Sequence, residues 1–199
     1  MKRILVTGFG PFEDVAVNAS EHLAVALGGM PVGPDVEVVG LALETSFGRA
    51  RAAVTEAVEA AKRHGRAFHL VLALGVARSA TVRLERLARA EVTSSRPDVD
   101  GECWAGRLLG EADLSSRLPL DAWALALRGG PIEVVVSDDC GGYVCNAVNH
   151  VVLSECPDSG LFVHVPVDAL PETARFSEVL RVLVRLLERM VGVSPVEVG

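Results

Sequence analysis

Two cysteines lie five residues apart in the stretch SDDCGGYVCNAV, which covers residues 137–148. Cys140 comes just before the pair Gly141-Gly142, and Cys145 comes three residues after it. Cysteines at this spacing are compatible with a disulfide, with half of a metal site, or with one nucleophilic thiol beside an inert one. The residues around them distinguish these possibilities.

The cysteines of the chain do not have the spacing of a metal site. Cys103, Cys140, Cys145 and Cys156 form no C-x-x-C pair, and no histidine lies at ligand spacing from any of them. A disulfide is not expected either. The N-terminal apolar run is too short for a secretory signal, so we predict a cytoplasmic protein whose thiols are reduced.

Cys145 has the position that favours nucleophilic chemistry. The glycine pair allows a sharp turn after a predicted strand, and a predicted helix begins immediately afterwards. Cys145 falls in the first turn of that helix, where free N–H groups and the helix dipole favour a thiolate and can donate to an oxyanion. Cys140 lacks this advantage, and we interpret it as a bystander. An inert Cys145, buried as a small apolar side chain, is the alternative.

A thiol nucleophile needs a base, and His164 is the best candidate of the five histidines. It lies near the end of a predicted buried strand, which we expect to finish at the same sheet edge as the glycine turn. A core histidine bonded to a backbone carbonyl is the alternative. His22, His64 and His69 are expected to face solvent, and His150 is expected to point to a different side of the helix that carries Cys145.

Glu85 is the candidate for the acid that orients His164. Its carboxylate is unusual because the neighbouring positions in segment 82–92 include several apolar residues. Three arginines surround it, so a solvated face of ion pairs is an equally good interpretation. These arginines are Arg83, Arg86 and Arg89.

The elements that must position these residues belong to an α/β domain, because apolar runs alternate with amphipathic helical stretches. The 199 residues fit a single domain spanning residues 1–199. A net charge of −7 without a basic cluster argues against nucleic-acid binding, and no apolar stretch is long enough to span a membrane. The predicted strands are 3–7, 36–43, 69–74, 132–136 and 161–165, the predicted helices are 18–27, 46–64, 120–127, 143–153 and 176–191, segment 82–92 is predicted to be extended, and 94–110 is predicted to be a loop.

Taken together, these residues resemble the motifs of the pyroglutamyl peptidase I family, the pyrrolidone-carboxylate cysteine peptidases. TGFGPF at 7–12 resembles the opening element of the family, and LER at 84–86 resembles the segment with its catalytic glutamate. GGYVCN at 141–146 resembles the nucleophile segment, and VHVP at 163–166 resembles the histidine segment. The motifs keep the order of the family, and the resemblance covers almost the whole chain.

The resemblance implies an enzyme that hydrolytically removes N-terminal pyroglutamyl residues from peptides, without a metal or cofactor. It implies a single-domain α/β/α sandwich with a mixed, largely parallel central sheet, and assembly into a homotetramer. Cys145 is then the nucleophile that forms an acyl-enzyme, His164 is the general base and afterwards the acid, and Glu85 orients His164.

The resemblance also assigns residues to substrate binding. Phe9 and Phe12 match the pocket phenylalanines of the family, and Thr45, Val144 and Arg96 are expected to bind the substrate with them. Pyroglutamate is a neutral, compact lactam, so it needs an apolar slot and a few backbone hydrogen bonds. Ordinary core packing is the alternative for the two phenylalanines.

The sequence departs from the family pattern near the expected pocket. Glu13-Asp14 stand where the family usually has two glycines, Val76 replaces a glutamine in the shortened loop 75–78, and Arg96 is shifted by one position. Two rival functions therefore stay open. One is a related thiol hydrolase acting on another small cyclic amide, and the other is a non-catalytic peptide-binding protein of the same fold.

Overall fold

Strands and helices alternate along the chain in this computed structural model, which describes residues 1–13 and 15–192. Asp14, the second residue of the Glu13-Asp14 departure, lies outside the described residues, as do residues 193–199 of the predicted domain. In chain order the elements are β1 (Lys2–Phe9), α1 (Ala19–Leu27), β2 (Val36–Leu43), α2 (Phe47–Arg63), β3 (Leu70–Ala77), β4 (Val82–Glu85), β5 (Leu87–Ala88), β6 (Leu114–Ser115), α3 (Leu120–Ala126), β7 (Val134–Ser137), α4 (Val144–Glu155), β8 (Gly160–Pro166) and α5 (Ala174–Met190).

The central sheet has the strand order β2-β1-β3-β8-β4-β7. Strands β1, β2, β3 and β8 are parallel, and Gly75 of β3 pairs with His164 of β8. Strand β4 is antiparallel to β8, with Arg83 opposite His164, and β7 is parallel to β4. The sheet is therefore mixed and largely parallel, which confirms the predicted fold class.

Helices cover both faces of this sheet because successive strand residues point to opposite sides. Ile4 and Val6 of β1 belong to the core that includes α1, α3 and α5. Leu5, which lies between them, belongs to the core that includes α2 and α4. Each large side chain buried in these layers contributes about 1.5–3 kcal/mol to folding. The result is the predicted α/β/α sandwich.

Capping side chains fix the beginnings of three helices. Asn18 accepts a hydrogen bond from the N–H of Ser20, and Ser46 does the same for Arg49. Thr173 caps α5 in the same way. Such caps satisfy N–H groups that have no partner within the helix. Helix α4 has no side-chain cap, so the N–H groups of its first turn are not engaged in this way.

The predicted elements agree with the structure apart from shifts of a few residues at their ends. The extended segment 82–92 contains two separate strands, because the chain leaves the central sheet after β4. Strand β5 then pairs with β6, a two-residue strand that the sequence did not reveal. No helix in residues 1–13 and 15–192 is long and apolar enough to cross a membrane.

One expectation about this sheet is wrong. Strand β7, which precedes the glycine turn, runs antiparallel to β8, so the two strands do not end at the same edge. Apolar patterning identifies a buried strand but carries no information about its direction. Segment 138–143 nevertheless leads from β7 to α4, which packs over β3 and β8.

Candidate active site

Cys145 is the second residue of α4 and is half-buried. The turn before it contains Gly141 at φ +75°, a left-handed conformation that favours glycine. Tyr143 is extended and precedes the first helical residue. The thiol therefore lies at the positive end of the helix dipole, beside uncapped N–H groups, as the sequence predicted.

Glycine at position 75 allows the thiol to lie close to the sheet. A β-carbon at Gly75 would lie 3.0 Å from Sγ of Cys145 and 2.8 Å from the ring of Phe162. Real side chains do not approach each other so closely. Any other residue at this position would displace the thiol or the ring, so β3 supplies a wall that only glycine can form.

His164 and Glu85 form a buried hydrogen-bonded pair. Nδ1 of His164 lies 2.8 Å from Oε1 of Glu85, and the glutamate side chain is fully buried. The pairing of β4 with β8 creates this contact, because Glu85 lies two residues along β4 from Arg83, which is opposite His164. With Nδ1 occupied by Glu85, Nε2 is the imidazole nitrogen that remains for Cys145.

The proton on His164 is held strongly. Burial alone lowers the pKa of His164, but hydrogen bonds to Cys145 and Glu85 and the charges of both groups raise it to about 9. The ordinary value is 6.5. At neutral pH the imidazole is therefore positively charged beside the thiol.

Arg83 supports Glu85 from the same strand. Its Nε lies 3.3 Å from Oε1 of Glu85, and its Nη2 donates to Ser137 Oγ at 2.5 Å and to the carbonyl of Asp139 at 2.7 Å. Arg86, in contrast, pairs with Asp121 at the surface. A solvated ion-paired face is therefore the wrong interpretation for Glu85.

Cys140 differs from Cys145 in its surroundings. It is buried, and burial raises its pKa well above the ordinary value, with the charges of Cys145 and Glu85 adding to the rise. A neutral buried thiol is a poor nucleophile. All four cysteines are free, and within residues 1–13 and 15–192 no group of three or more potential ligands could hold a metal ion.

A cavity of about 580 Å³ opens next to the thiol. Its inner end contains Cys145 and His164, and Val76 contributes an apolar wall. Phe12 and Arg96, which the resemblance assigns to substrate binding, also line it.

Three other residues assigned to substrate binding do not line this cavity. Phe9 is 2% exposed and packs in the core, with its ring centroid 6.4 Å from that of Phe162. Val144 is fully buried, so only its backbone N–H at the helix start is available. Thr45 is buried and donates a hydrogen bond to the carbonyl of Gly10 at 3.1 Å. These side chains shape the site from behind, and core packing is the better interpretation for Phe9.

The sequence reasoning missed residues that fix α4 and the cavity wall. Asn146 is fully buried and exchanges two hydrogen bonds with the backbone of Arg89, at 2.8 and 3.0 Å. Tyr143 donates its hydroxyl to the carbonyl of Pro97 at 2.8 Å and lines the cavity. A polar residue on the buried face of a helix needs such partners, and this was the available signal for Asn146.

A thiol at a helix start, an imidazole and a buried carboxylate form the type of arrangement that cysteine hydrolases use. A family model described as pyroglutamyl peptidase matches residues 2–178. The chain is 32% identical over 184 residues to the pyrrolidone-carboxylate peptidase of Pseudomonas fluorescens, covering 89% of this chain and 84% of that protein. It is 31% identical over 172 residues to the pyrrolidone-carboxylate peptidase of Pyrococcus furiosus, covering 82% and 80%. The chain therefore belongs to the pyroglutamyl peptidase family.

Solved structures agree with this assignment at the level of the fold. The crystal structure of pyrrolidone carboxyl peptidase from Pyrococcus furiosus superimposes with a TM-score of 0.83. The superposition covers 96% of this chain and 98% of that one, with 24% identity over this longer alignment.

Proposed function

We propose that this protein hydrolyses the bond after an N-terminal pyroglutamyl residue in peptides, with Cys145 as nucleophile, His164 as proton carrier and Glu85 as the group that orients His164. One observation carries the proposal. In a member of the pyroglutamyl peptidase family, a fully buried Glu85 holds His164 at 2.8 Å, and His164 lines the same cavity as Cys145.

The chemistry follows from the positions of these groups. At neutral pH the imidazolium of His164 already carries on Nε2 the proton given up by the thiol, and Sγ attacks the carbonyl carbon that joins the pyroglutamyl residue to the next residue. The oxyanion that forms is stabilised by first-turn N–H groups of α4, which no side chain caps. The imidazolium then gives its proton to the leaving amine, and a thioester remains on Cys145. Water, activated by His164, attacks the thioester and releases pyroglutamate.

The substrate class is inferred from the family and from the cavity. The relatives are named pyrrolidone-carboxylate peptidases, after the lactam acid itself. Phe12 and Val76 provide apolar surface for a neutral ring. Val76 and Glu13 both line the cavity and both depart from the family pattern, and this observation favours the first rival, a hydrolase of a different small cyclic amide.

Release of a fluorescent aminocoumarin from its pyroglutamyl amide tests the proposal. We expect turnover at least about 100-fold more efficient than for the prolyl amide, because proline lacks the lactam carbonyl. The amide of the six-membered lactam acid is the matched control for ring size, and the Cys145→Ala variant is the control for contaminating peptidase. Preference for the six-membered ring would favour the rival hydrolase. An absence of release from every amide would leave the peptide-binding protein as the better interpretation.

The homotetramer and the cytoplasmic location are further proposals. The first is inferred from family resemblance, and the second from the four cysteines, which are all free. Light scattering coupled to size exclusion measures the mass of the assembly, and a mass of one or two chains would contradict the tetramer.

A further inference from the structure

An ion pair joins two loops at the solvated side of the cavity. Nε of Arg96 lies 3.1 Å from Oε1 of Glu13, and Nη2 of Arg96 contacts the other carboxylate oxygen. The two residues are 83 positions apart in the chain, and both line the cavity that contains Cys145 and His164. The side chain of Glu13 is 39% exposed and that of Arg96 is 53% exposed, whereas the side chain of His164 is 7% exposed. The pair therefore lies at the outer end of the cavity.

The backbone at Glu13 is held in an unfavourable conformation. The backbones of Phe12 and Val15 exchange hydrogen bonds of 3.1 and 2.8 Å. Glu13, which follows Phe12, has φ +44°. A positive φ costs a residue with a β-carbon about 1–2 kcal/mol. An exposed ion pair contributes about 0–1 kcal/mol, so fold stability does not account for a glutamate at this position.

Aromatic rings connect this ion pair to the catalytic helix. The guanidinium of Arg96 lies 5.0 Å from the ring centroid of Tyr143, and the ring of Phe12 lies 6.3 Å from the same ring. Tyr143 immediately precedes α4, and its hydroxyl donates a hydrogen bond to the carbonyl of Pro97, the residue next to Arg96. Glu13 and Arg96 thus hold two cavity-lining rings together from opposite loops.

We propose that Glu13 and Arg96 form a clasp that closes the outer end of the cavity and limits the access of bulky groups to Cys145. The two are positioning residues, which act through Phe12 and Tyr143. The consequence for catalysis rests on the proposed function: the closed clasp holds the pyroglutamyl ring against the inner end of the cavity, and opening it weakens substrate binding. The clasp itself can be measured without any peptide substrate.

The test compares two thiol reagents of different size on the folded protein. All variants carry Cys103→Ser, because Cys103 is exposed and competes for the reagents. The measured quantity is the labelling rate of Cys145 by N-(1-pyrenyl)maleimide divided by its rate with iodoacetamide. We expect Glu13→Gln to raise this ratio by up to about fivefold, the factor that corresponds to the largest contribution of one exposed ion pair. Arg96→Gln also loses the contact with Tyr143, so it should raise the ratio at least as much. Glutamine keeps the β-carbon, so the turn strain at position 13 is unchanged.

Three comparisons make the result specific. The double variant should raise the ratio no more than Arg96→Gln alone, and the exchanged pair Glu13→Arg with Arg96→Glu should be labelled more slowly than the double variant. High salt should raise the ratio in the parent protein and not in Glu13→Gln. Asp158→Asn, which breaks the exposed pair with Arg117 at 3.1 Å, is the matched control and should leave the ratio unchanged.

The outcomes separate this inference from the proposed function. An unchanged ratio in Glu13→Gln, or single effects that add in the double variant, would overturn the clasp whatever the substrate is. If the ratio rises as expected but the parent protein does not cleave pyroglutamyl amides, the clasp stands and the proposed function fails. If both hold, the Michaelis constant for the pyroglutamyl amide should rise in Glu13→Gln by about the factor measured with the reagents.

Discussion

The inner and outer ends of the cavity are built in different ways. At the inner end, Cys145, His164 and Glu85 belong to a helix and two paired strands, and the carboxylate is fully buried. At the outer end, Glu13 and Arg96 belong to loops, and their side chains remain largely exposed.

The difference teaches which part of the site can vary. Strand pairing and helix packing hold the reacting groups in one geometry, so a change there removes the chemistry. Loops on this scaffold can exchange residues at small cost in stability, so they determine which substrate enters. The departures from the family pattern at Glu13 and Val76 line the cavity, whereas Cys145, His164 and Glu85 match the family motifs.

Replacing the nucleophile should have the largest effect. We expect Cys145→Ala to lower turnover of a pyroglutamyl amide at least about 10⁴-fold, because no other group can form the thioester. Cys140→Ala is the matched control, and it should retain turnover within a few-fold because the Cys140 thiol is buried and neutral. Steady-state kinetics of the two variants measure this difference. If Cys140→Ala loses activity but keeps a normal melting temperature, the assignment of Cys145 as the nucleophile is wrong.

The two residues behind the thiol should differ in their effects. His164→Ala removes the proton carrier, and we expect a loss of turnover in the range of about 10²–10⁴-fold. Glu85→Gln should cost less, because glutamine leaves the imidazole present but poorly oriented. Turnover numbers of both variants, with circular dichroism as a control for folding, decide the order. An unchanged turnover number for Glu85→Gln would show that Glu85 does not contribute to catalysis.

The two phenylalanines should separate into one binding residue and one core residue. Phe12→Ala removes apolar surface from the cavity, which should cost about 1–3 kcal/mol of transition-state binding. We therefore expect the ratio of turnover to Michaelis constant to fall roughly 5- to 150-fold. Phe9→Ala should instead lower the free energy of unfolding by about 3–5 kcal/mol, because its ring is buried against Phe162. Denaturant titrations alongside the kinetics measure both. If Phe9→Ala keeps its free energy of unfolding but has a lower ratio of turnover to Michaelis constant, Phe9 is a substrate-binding residue.

The pH dependence should show the smallest change. Because the pKa of His164 is raised to about 9, the imidazolium that protonates the leaving amine persists at neutral pH and is lost as pH rises through that value. Turnover should therefore fall above about pH 9. In Glu85→Gln the negative charge of the carboxylate, which helps to raise this pKa, is removed, so the pH at which turnover falls should be lower. A limb at the same pH in both proteins would mean that another group titrates.

The sequence predicted the parts of this molecule that depend on local pattern. Apolar periodicity marked most strands and helices, and the glycine turn marked Cys145. The direction of β7 and the pairing of β5 with β6 could not be predicted, because they depend on contacts between distant segments.

Distant contacts also decide between the alternatives that the sequence left open at the site. Phe9 and Phe12 are three residues apart in one motif, and only the end of β1 between them places one ring in the core and the other in the cavity. Three arginines around Glu85 were equivalent in the sequence. Strand β4 ends at Glu85, so only Arg83 shares its strand, and side chains two residues apart in a strand point to the same side of the sheet.

The central claim is that Cys145 attacks a pyroglutamyl group bound in this cavity. Affinity labelling with pyroglutamyl chloromethyl ketone tests it most directly, because the reagent must be recognised as a substrate before it alkylates a thiol. We predict one label per chain, located on Cys145 by peptide mass spectrometry, with loss of activity in proportion to labelling and much slower reaction of the prolyl analogue. Labelling of Cys140 instead, or equal rates with the two reagents, would contradict the account.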